Sequence, residues 1–429
     1  MNLSSRLSAG NRLAPVLMNF HLPAGSAQFR RSGFRIFALL FFVVSLSGCA
    51  GRLHKASRLF YADQPQQALS TLEKGDRFGQ RNQLLFLLER GLVLHRLQRY
   101  QQSVDVLLQA TELIAELEQI SVSEQLGSLV TTEWLVRYKG EYSERLWAHS
   151  YLMMNFLLLG QHDSALVEAK RALELLGRYP EALQEDYFTR GLIALCFSHV
   201  GEDNDAYLVY RRLAEDLHPT AVAADLVQIS ARLGQLDEVA HYQPYLPVLL
   251  PHGDGELVLF VANGRIPKKR PGNVVLPPSI RFSFPYYEAL SAPRVQVDIL
   301  PRSPALPQLS SSLGAVARKA LEERKLSMIA KETLRVAGKE AIAQSVGNEH
   351  GGAAEAAARV TLFLLEEPDT RSWQTLPGRL TLVRVPLSVG RHKLRLKIGT
   401  PGFTGQRVVD LPELELRKGQ RVFHSVRLK

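Results

Sequence analysis

Four stretches of this chain repeat one pattern, and that pattern restricts what most of residues 53–240 can become. They read RGLVLHRLQRYQQSVDVLLQA (90–110), YLMMNFLLLGQHDSALVEAKRAL (151–173), GLIALCFSHVGEDNDAYLVYRRL (191–213) and, more weakly, VQISARLGQLDEVAHY (227–242). Each places apolar residues three and four apart, breaks, and resumes, which is the signature of two amphipathic helices joined by a turn. A single unit of this kind cannot bury its apolar stripe alone. It does so by stacking on the next one.

The small residues fall where such stacking needs them. Gly91, Met153 and Ala194 stand in the first helix of successive units, where the second crosses closely. Gly160, Gly201 and Gly234 mark the turns, where a helix end favours positive φ. Ala165, Ala169, Ala172 and Ala206 return the packing from the second helix. The units resemble tetratricopeptide (TPR) helical hairpins. Their period is irregular, with 41 residues from Gly160 to Gly201 and 33 from Gly201 to Gly234, so insertions are expected. YADQPQQALSTLEKG (61–75) resembles the second half of an earlier hairpin, with Ala68 at the packing position. The alternative is a helical bundle without repeats.

Past HYQPYLPVLLPHGDGE (241–256), rich in Pro and Gly, the periodicity changes to two. GELVLFVANG (255–264), NVVLPP, SIRFSFPYYEA (279–289) and PRVQVDIL (293–300) read as strands, the first ending in an Asn-Gly turn. Residues 311–346 then read as one long helix, and NEHGGAAEAAA after it as a mobile linker. RLTLVRVPL (379–387), RHKLRLKIG (391–399), QRVVDLPELEL (406–416) and QRVFHSVRL (420–428) return to strands, expected to form antiparallel hairpins in a small sandwich-like unit. The fold class expected is therefore α plus β and multidomain. A TPR-like α-helical solenoid occupies 49–243, and a basic β-rich α+β domain with a long helix at about 311–346 occupies 244–429. Whether the second part is one domain or two stays open.

The N-terminus carries an address. Arg30, Arg31 and Arg35 precede an apolar run from Ile36 to Leu46, too short to span a bilayer but fitting a signal peptide. Leu46-Ser47-Gly48-Cys49 follows and resembles a bacterial lipobox, in which the Cys49 thiol is expected to be lipidated and residues 1–48 removed; the alternative is an ordinary signal peptide ahead of a chance cysteine. Diacylation of the thiol and acylation of the new amine exceed the two-signal threshold for stable anchoring, so membrane attachment with palmitate-type chains is expected. Ala50 stands where an aspartate would favour retention in the inner membrane. The expected location is the outer membrane, facing the periplasm. The polar stretch before Arg30 is long for a signal, and Met18 is an alternative start.

The net charge of +10 conceals a division. Cys49–Pro251 carries 19 basic and 26 acidic residues, whereas His252–Lys429 carries 28 and 16. A basic part near a bilayer suits anionic lipid or cell-wall polymer. A chain facing the periplasm has no use for nucleic acid. With Cys49 acylated, Cys196 in LIALCFSHV has no disulfide partner and reads as a small hydrophobe of a helix core.

No constellation of catalytic residues stands out. The 12 histidines are scattered, the cysteines do not pair in a metal-ligating spacing, and neither a phosphate loop nor a dinucleotide fingerprint is present, so no metal or cofactor is expected. Three groups remain as candidate binding residues. Arg324, Lys331, Arg335 and Lys339 share a stripe of the long helix, suited to phosphate or an acidic partner. Tyr286 and Tyr287 in PYYE suit a sugar or a peptide, or cover a sheet edge. Asp369, Arg371 and Trp373 in DTRSWQTLP, preceded by Glu366 and Glu367, either line a ligand site or form a charged turn pinned by the tryptophan.

Taken with the lipobox and the repeats, ELVLFVANGRIPKK, VVLPPSIRFSFPYYE and DTRSWQTLPGRLTLVRVPL resemble a family of TPR-containing lipoproteins found mainly in Gram-negative bacteria. The resemblance implies an outer-membrane lipoprotein with a helical-repeat half and a β-rich half, and carries no activity onto any residue. The function expected is a membrane-anchored periplasmic scaffold that is not an enzyme. It binds a protein partner on the concave face of the repeats, and the C-terminal part supplies a second contact to the envelope. The alternatives are a protein binding peptidoglycan through the basic stripe, or a cell-wall-acting enzyme using Glu366, Glu367 or Asp369 near Trp373.

Overall fold

The computed structural model describes residues 51–74, 80–123, 137–247, 253–276, 280–289, 293, 296–301, 305–364, 367–399 and 406–428. The lipobox and Cys49 lie outside the described residues.

Helix α1 spans 51–61. After it come α2 (Pro65–Glu73), α3 (Gln83–Arg96), α4 (Tyr100–Ser123), α5 (Tyr142–Leu158) and α6 (His162–Arg178). The short α7 (Pro180–Leu183) precedes α8 (Tyr187–Val200), α9 (Asp203–Asp216), α10 (Ala223–Arg232) and α11 (Leu236–Tyr242). The expected hairpins are α3–α4, α5–α6, α8–α9 and α10–α11, and α1–α2 forms another, with Ala68 fully buried as its packing residue. The turns of the last three expected units hold Gly160, Gly201 and Gly234 at φ of 73°, 87° and 73°. At Gly91 a Cβ would come within 2.5 Å of Leu107, so α3 and α4 close on each other only over a glycine. The irregular period has a physical cause: α7 is the insertion between the second and third of these units.

Strands β1 (Gly255–Asn263), β2 (Lys269–Leu276), β3 (Ile280–Tyr287), β4 (Gln296–Leu300) and β5 (Leu309–Ser312) follow. Helix α12 (Leu313–His350) is the long helix expected. The Ala-rich stretch taken as a mobile linker is instead α13 (Gly352–Leu364), reversed at Gly351, whose φ is 86°. Alanine has the strongest helix propensity, and this run supplies enough of it to fold back along α12. There Arg359 bridges Glu340 and Glu355.

The C-terminal strands are β6 (Arg379–Leu387), β7 (Gly390–His392), β8 (Arg395–Gly399), β9 (Gln406–Asp410), β10 (Leu414–Leu416) and β11 (Arg421–Arg427). Of these, β8 pairs antiparallel with β9 and β7 with β10, as the expected hairpins would, but β6 and β11 pair elsewhere. The central sheet has the order β11-β1-β6-β5, and β11 pairs with β1 in parallel, Glu256 opposite Arg421 and Ala262 opposite Arg427. Beyond it lie a sheet of order β4-β8-β9 and the pairs β2-β3 and β7-β10.

The central sheet is covered on both faces, which is why GELVLFVAN is a nearly unbroken apolar run. Alternate side chains go to opposite sides. Val258, Phe260, Ala262, Leu380 and Leu382 join the core built by the helices. Leu257, Leu259, Val261, Val383 and Val385 join a second core with Val297, Ile299, Leu396 and Ile398 of the β4-β8-β9 sheet. Three layers result: repeats, central sheet, outer sheet. Each fully buried Leu, Ile or Val contributes about 1.5–3 kcal/mol, so the two sides of β1 and β6 fasten the layers together.

The opposite charges of the two halves meet across the first of these boundaries. Lys269 reaches Glu141 at 2.5 Å, Lys319 reaches Glu185 at 3.0 Å and Arg384 reaches Asp225 at 2.5 Å. Arg324 also pairs with Glu141. In all four the acid belongs to the repeats and the cation to the β-rich part. Part of the basic excess is therefore spent within the molecule.

Candidate binding surface of the helical repeats

The first helices of the hairpins form the inner face of the stack, and the chain fills that face with itself. Helix α5 shows the degree of enclosure: every residue from Ser143 to Leu157 is buried. Neighbouring repeats cover one side of it, and the other lies under β11 and the segment 371–376. Helix α8 is met by β5 and β6 so closely that a Cβ on Gly191 would come within 2.4 Å of Leu309.

Segment 371–376 is held chiefly through its backbone, as a receptor holds a peptide. The Trp373 N–H donates to Glu144 Oε1 at 2.7 Å. The Gln374 and Thr375 N–H groups donate to Glu89 Oε1 and Oε2 at 2.6 and 3.1 Å. The Tyr61 hydroxyl donates to the Leu376 carbonyl at 2.6 Å, and His54 Nδ1 lies 3.0 Å from Gln374 Oε1. Arg371 donates to the Arg81 carbonyl at 3.2 Å and to Asn82 Oδ1 at 3.0 Å.

Both clamping carboxylates are buried, and burial drives their electrostatics. It pushes the Glu89 carboxyl up to about 7, although Thr375 and the amides of 374 and 375 pull it back. Glu144 is likewise raised, by burial first and by the nearby Glu141 charge second. Tyr138 donates its hydroxyl to Glu144. Sequence reasoning passed over both glutamates. Glu89 left a signal, since it interrupts LLFLLERGLVL at an apolar position, where a buried charge requires partners.

Two further polar clusters bind the layers. Asp186, fully buried, accepts from Thr189 N–H at 3.1 Å and Oγ1 at 2.8 Å, Trp147 Nε1 at 2.8 Å and Ser311 Oγ at 2.6 Å, tying α5, α8 and β5 together. His95 lies 2.6 Å from Asn155 Oδ1 and 2.9 Å from Ser425 Oγ, and burial pushes its imidazole down to about 4. Beside it is a void of about 30 Å³, room for one water-sized molecule.

The residues singled out in the sequence fall into different places. Trp373 is fully buried, its indole N–H donating to Thr375 Oγ1 at 3.2 Å and its ring 5.8 Å from that of Tyr151. Arg371 forks onto Asp369 at 2.8 and 2.6 Å. That segment is thus the charged turn pinned by a tryptophan, and it does not line an open site. Glu367 is exposed at the start of it, and Glu366 lies outside the described residues. Tyr286 and Tyr287, adjacent on β3, point to opposite sides: Tyr286 is 47% exposed, whereas Tyr287 is buried opposite Lys269. Arg324 is engaged by Glu141, with its guanidinium 5.6 Å from the Tyr142 ring. Lys331, Arg335 and Lys339 fall on α12, and their side chains lie outside those described.

With its inner face occupied, the repeat stack is open at its far end. Two adjoining grooves of about 660 and 370 Å³ lie between α9 and α11, sharing Arg211 and Glu238. Tyr207 and Leu236 line the larger, Pro219 and Tyr242 the smaller. Leu236 is 75% exposed and Leu208, on α9, is 54% exposed. Apolar groups ringed by Arg211 and the acids Glu215, Asp237 and Glu238 suit a peptide or helix surface. Among the described residues no group of three or more His, Cys, Asp or Glu side chains is placed to hold a metal. No helix among them is long and apolar enough to cross a membrane.

The chain matches no protein-family model and no curated protein sequence. Among solved structures it is similar to MamA of Desulfovibrio magneticus RS-1, at 16% identity and a TM-score of 0.32, over 46% of this chain and 91% of that one. It is similar to YrrB, a TPR protein with an unusual peptide-binding site, at 15% identity and a TM-score of 0.31, over 45% of this chain and 85% of YrrB. A third is pilF of Pseudomonas aeruginosa, at 16% identity and a TM-score of 0.31, over 45% and 72%. The TPR-like class of the helical half rests on the hairpins described above.

Proposed function

We propose that this chain is a lipid-anchored scaffold of the bacterial envelope, attached through Cys49 at the outer membrane, facing the periplasm, and binding a protein partner through its repeats. The inner face of the stack is taken up by segment 371–376 and the central sheet. The partner therefore docks at the open end rather than on the concave face expected from the sequence. The observation that supports this is the exposed Leu236 lining the groove with Tyr207, Arg211 and Glu238, together with Leu208, exposed on the helix that carries Tyr207 and Arg211. Catalysis has no comparable support. Glu89 and Glu144 beside Trp373 are buried and bonded to the backbone amides of 373–375.

The test is in-cell photo-crosslinking of the lipidated chain from residues 208 and 236, with residue 408 on the outer sheet as control. One envelope protein captured from 208 and 236 but not 408, and lost on Arg211→Glu with Glu238→Lys, is the expected result. Equal capture from all three positions would overturn it. Palmitate labelling of the wild type but not of Cys49→Ala checks the anchor separately.

A further inference from the structure

Helix α1 begins two residues after Cys49, so no more than about 7 Å of chain separates it from the anchor. Its inner side is apolar: Leu53, Ala56 and Phe60 are buried in the core of the repeats. Arg52, Lys55 and Arg58 follow one another at three-residue spacing along the other side, with Lys55 and Arg58 exposed. Two cations from distant segments arrive at the same helix. Arg265, just after β1, places its guanidinium 4.5 Å from the centre of the Tyr61 ring. Arg427, at the end of β11, lies 4.9 Å from the Phe60 ring and 5.3 Å from that of Tyr61, and donates to the Gly264 carbonyl at 3.1 Å.

Their neutralisation is incomplete. Among the described residues no carboxylate pairs with Lys55, Arg58, Arg265 or Arg427, and Asp63, the acid nearest in sequence to the helix end, is held by Arg96 at 3.2 Å. Lys269, Lys319, Arg324 and Arg384 of the β-rich part end on acids of the repeats, and Arg371 and Arg421 on Asp369 and Glu256 of their own part, so Arg265 and Arg427 stand outside this pairing of charge.

We infer that α1, with Arg265 and Arg427, is a docking surface for anionic phospholipid headgroups, and sets the orientation of the molecule on the membrane that Cys49 anchors it to. Basic side chains gain from anionic headgroups only within a Debye length of about 8 Å, and the anchor holds the start of α1 within that range. Long Arg and Lys stems also suit a lipid boundary, lying along apolar surface while the charged ends stay in water. The aromatic rings of Phe60 and Tyr61 supply such a surface for Arg265 and Arg427. The inference rests on the lipid-anchor reading, and the experiment separates the two.

Residues 51–429, which form one compact unit, are tested without any lipid attached. Sedimentation with vesicles of phosphatidylcholine alone and of phosphatidylcholine with phosphatidylglycerol measures binding. The expected result is binding only where phosphatidylglycerol is present, weakening with salt. Arg52→Ala, Lys55→Ala and Arg58→Ala together should lower the partition constant about a hundredfold, at about fivefold per cation. Arg391→Ala, Lys393→Ala and Arg395→Ala, an equal charge change along β7, β8 and the link between them, should leave it unaltered. An equal loss in the two triple variants, or binding indifferent to phosphatidylglycerol, overturns the inference. Loss of palmitate labelling with vesicle binding intact would remove the anchor and leave the surface.

Discussion

Glu141 joins the two halves of the protein, and its replacement by glutamine should loosen them measurably. Its side chain is 6% exposed and contacts Lys269, 2% exposed, and Arg324, 28% exposed. Glu141→Gln keeps the shape and leaves Lys269 as an uncompensated buried cation. Breaking a buried pair from one side costs about 3–5 kcal/mol, and the partial exposure of Arg324 argues for the lower end. The titration of Glu141 gives an independent figure. Burial alone would raise its pKa, but Lys269 and Arg324 outweigh burial and hold the carboxyl down to about 2, from 4.5 in the unfolded chain. A folded pKa below the unfolded one stabilises the native state above about pH 4.5, and that contribution is lost as pH falls toward about 2. The span corresponds to about 3 kcal/mol. Urea unfolding of 51–429 should therefore show Glu141→Gln about 3 kcal/mol less stable at neutral pH, with the gap to wild type closing toward about pH 2. Adding Lys269→Met to the variant should recover part of the loss, since it removes the stranded charge. A neutral-pH difference below about 1 kcal/mol, typical of an exposed pair, would refute the reasoning, and so would a gap that persists in acid.

Glu89 should behave with the opposite sign. Its folded pKa of about 7 lies above the unfolded value, so the native state binds the proton more tightly and stability falls as pH rises from about 4.5 to about 7. Glu89→Gln should flatten that window, a change of up to about 3 kcal/mol read from unfolding midpoints at about pH 5 and about pH 8, and an unchanged slope would assign the effect to another group. Gly191→Val should cost about 1–3 kcal/mol by overpacking α8 against Leu309, and an unaltered urea midpoint would mean that Leu309 swings clear.

Local chemistry was legible in the sequence and long-range pairing was not. Gly160, Gly201 and Gly234 announced the turns because positive φ is a property of a single residue. The apolar runs 255–263 and 379–387 announced β1 and β6 with nearly correct bounds. The parallel pairing of β11 with β1 left no local trace, since no turn connects the two strands. Segment 369–377 was recognisable as a charged turn around a tryptophan, yet its partners Glu89 and Glu144 lie more than two hundred residues earlier. The excess of acid in one half and base in the other was visible, but read as two separate surfaces. The structure turns part of it into complementarity, through Lys269, Lys319, Arg324 and Arg384.

The burial of α5 on every side bears on how the chain reaches its native state. Stacked repeats ordinarily fold as a nearly one-dimensional series, each unit stabilised by its neighbours and free to form in any order. Here the inner wall of the series is a sheet whose edge strand lies at 421–427 and pairs at 256–262. A repeat at 142–158 consequently completes its environment only when residues nearly three hundred positions downstream are in place. Such long loops raise the entropic barrier to folding and slow it. They also abolish the gradual fraying from one end that an open solenoid permits, so that repeats and sheets gain and lose their structure as one cooperative body.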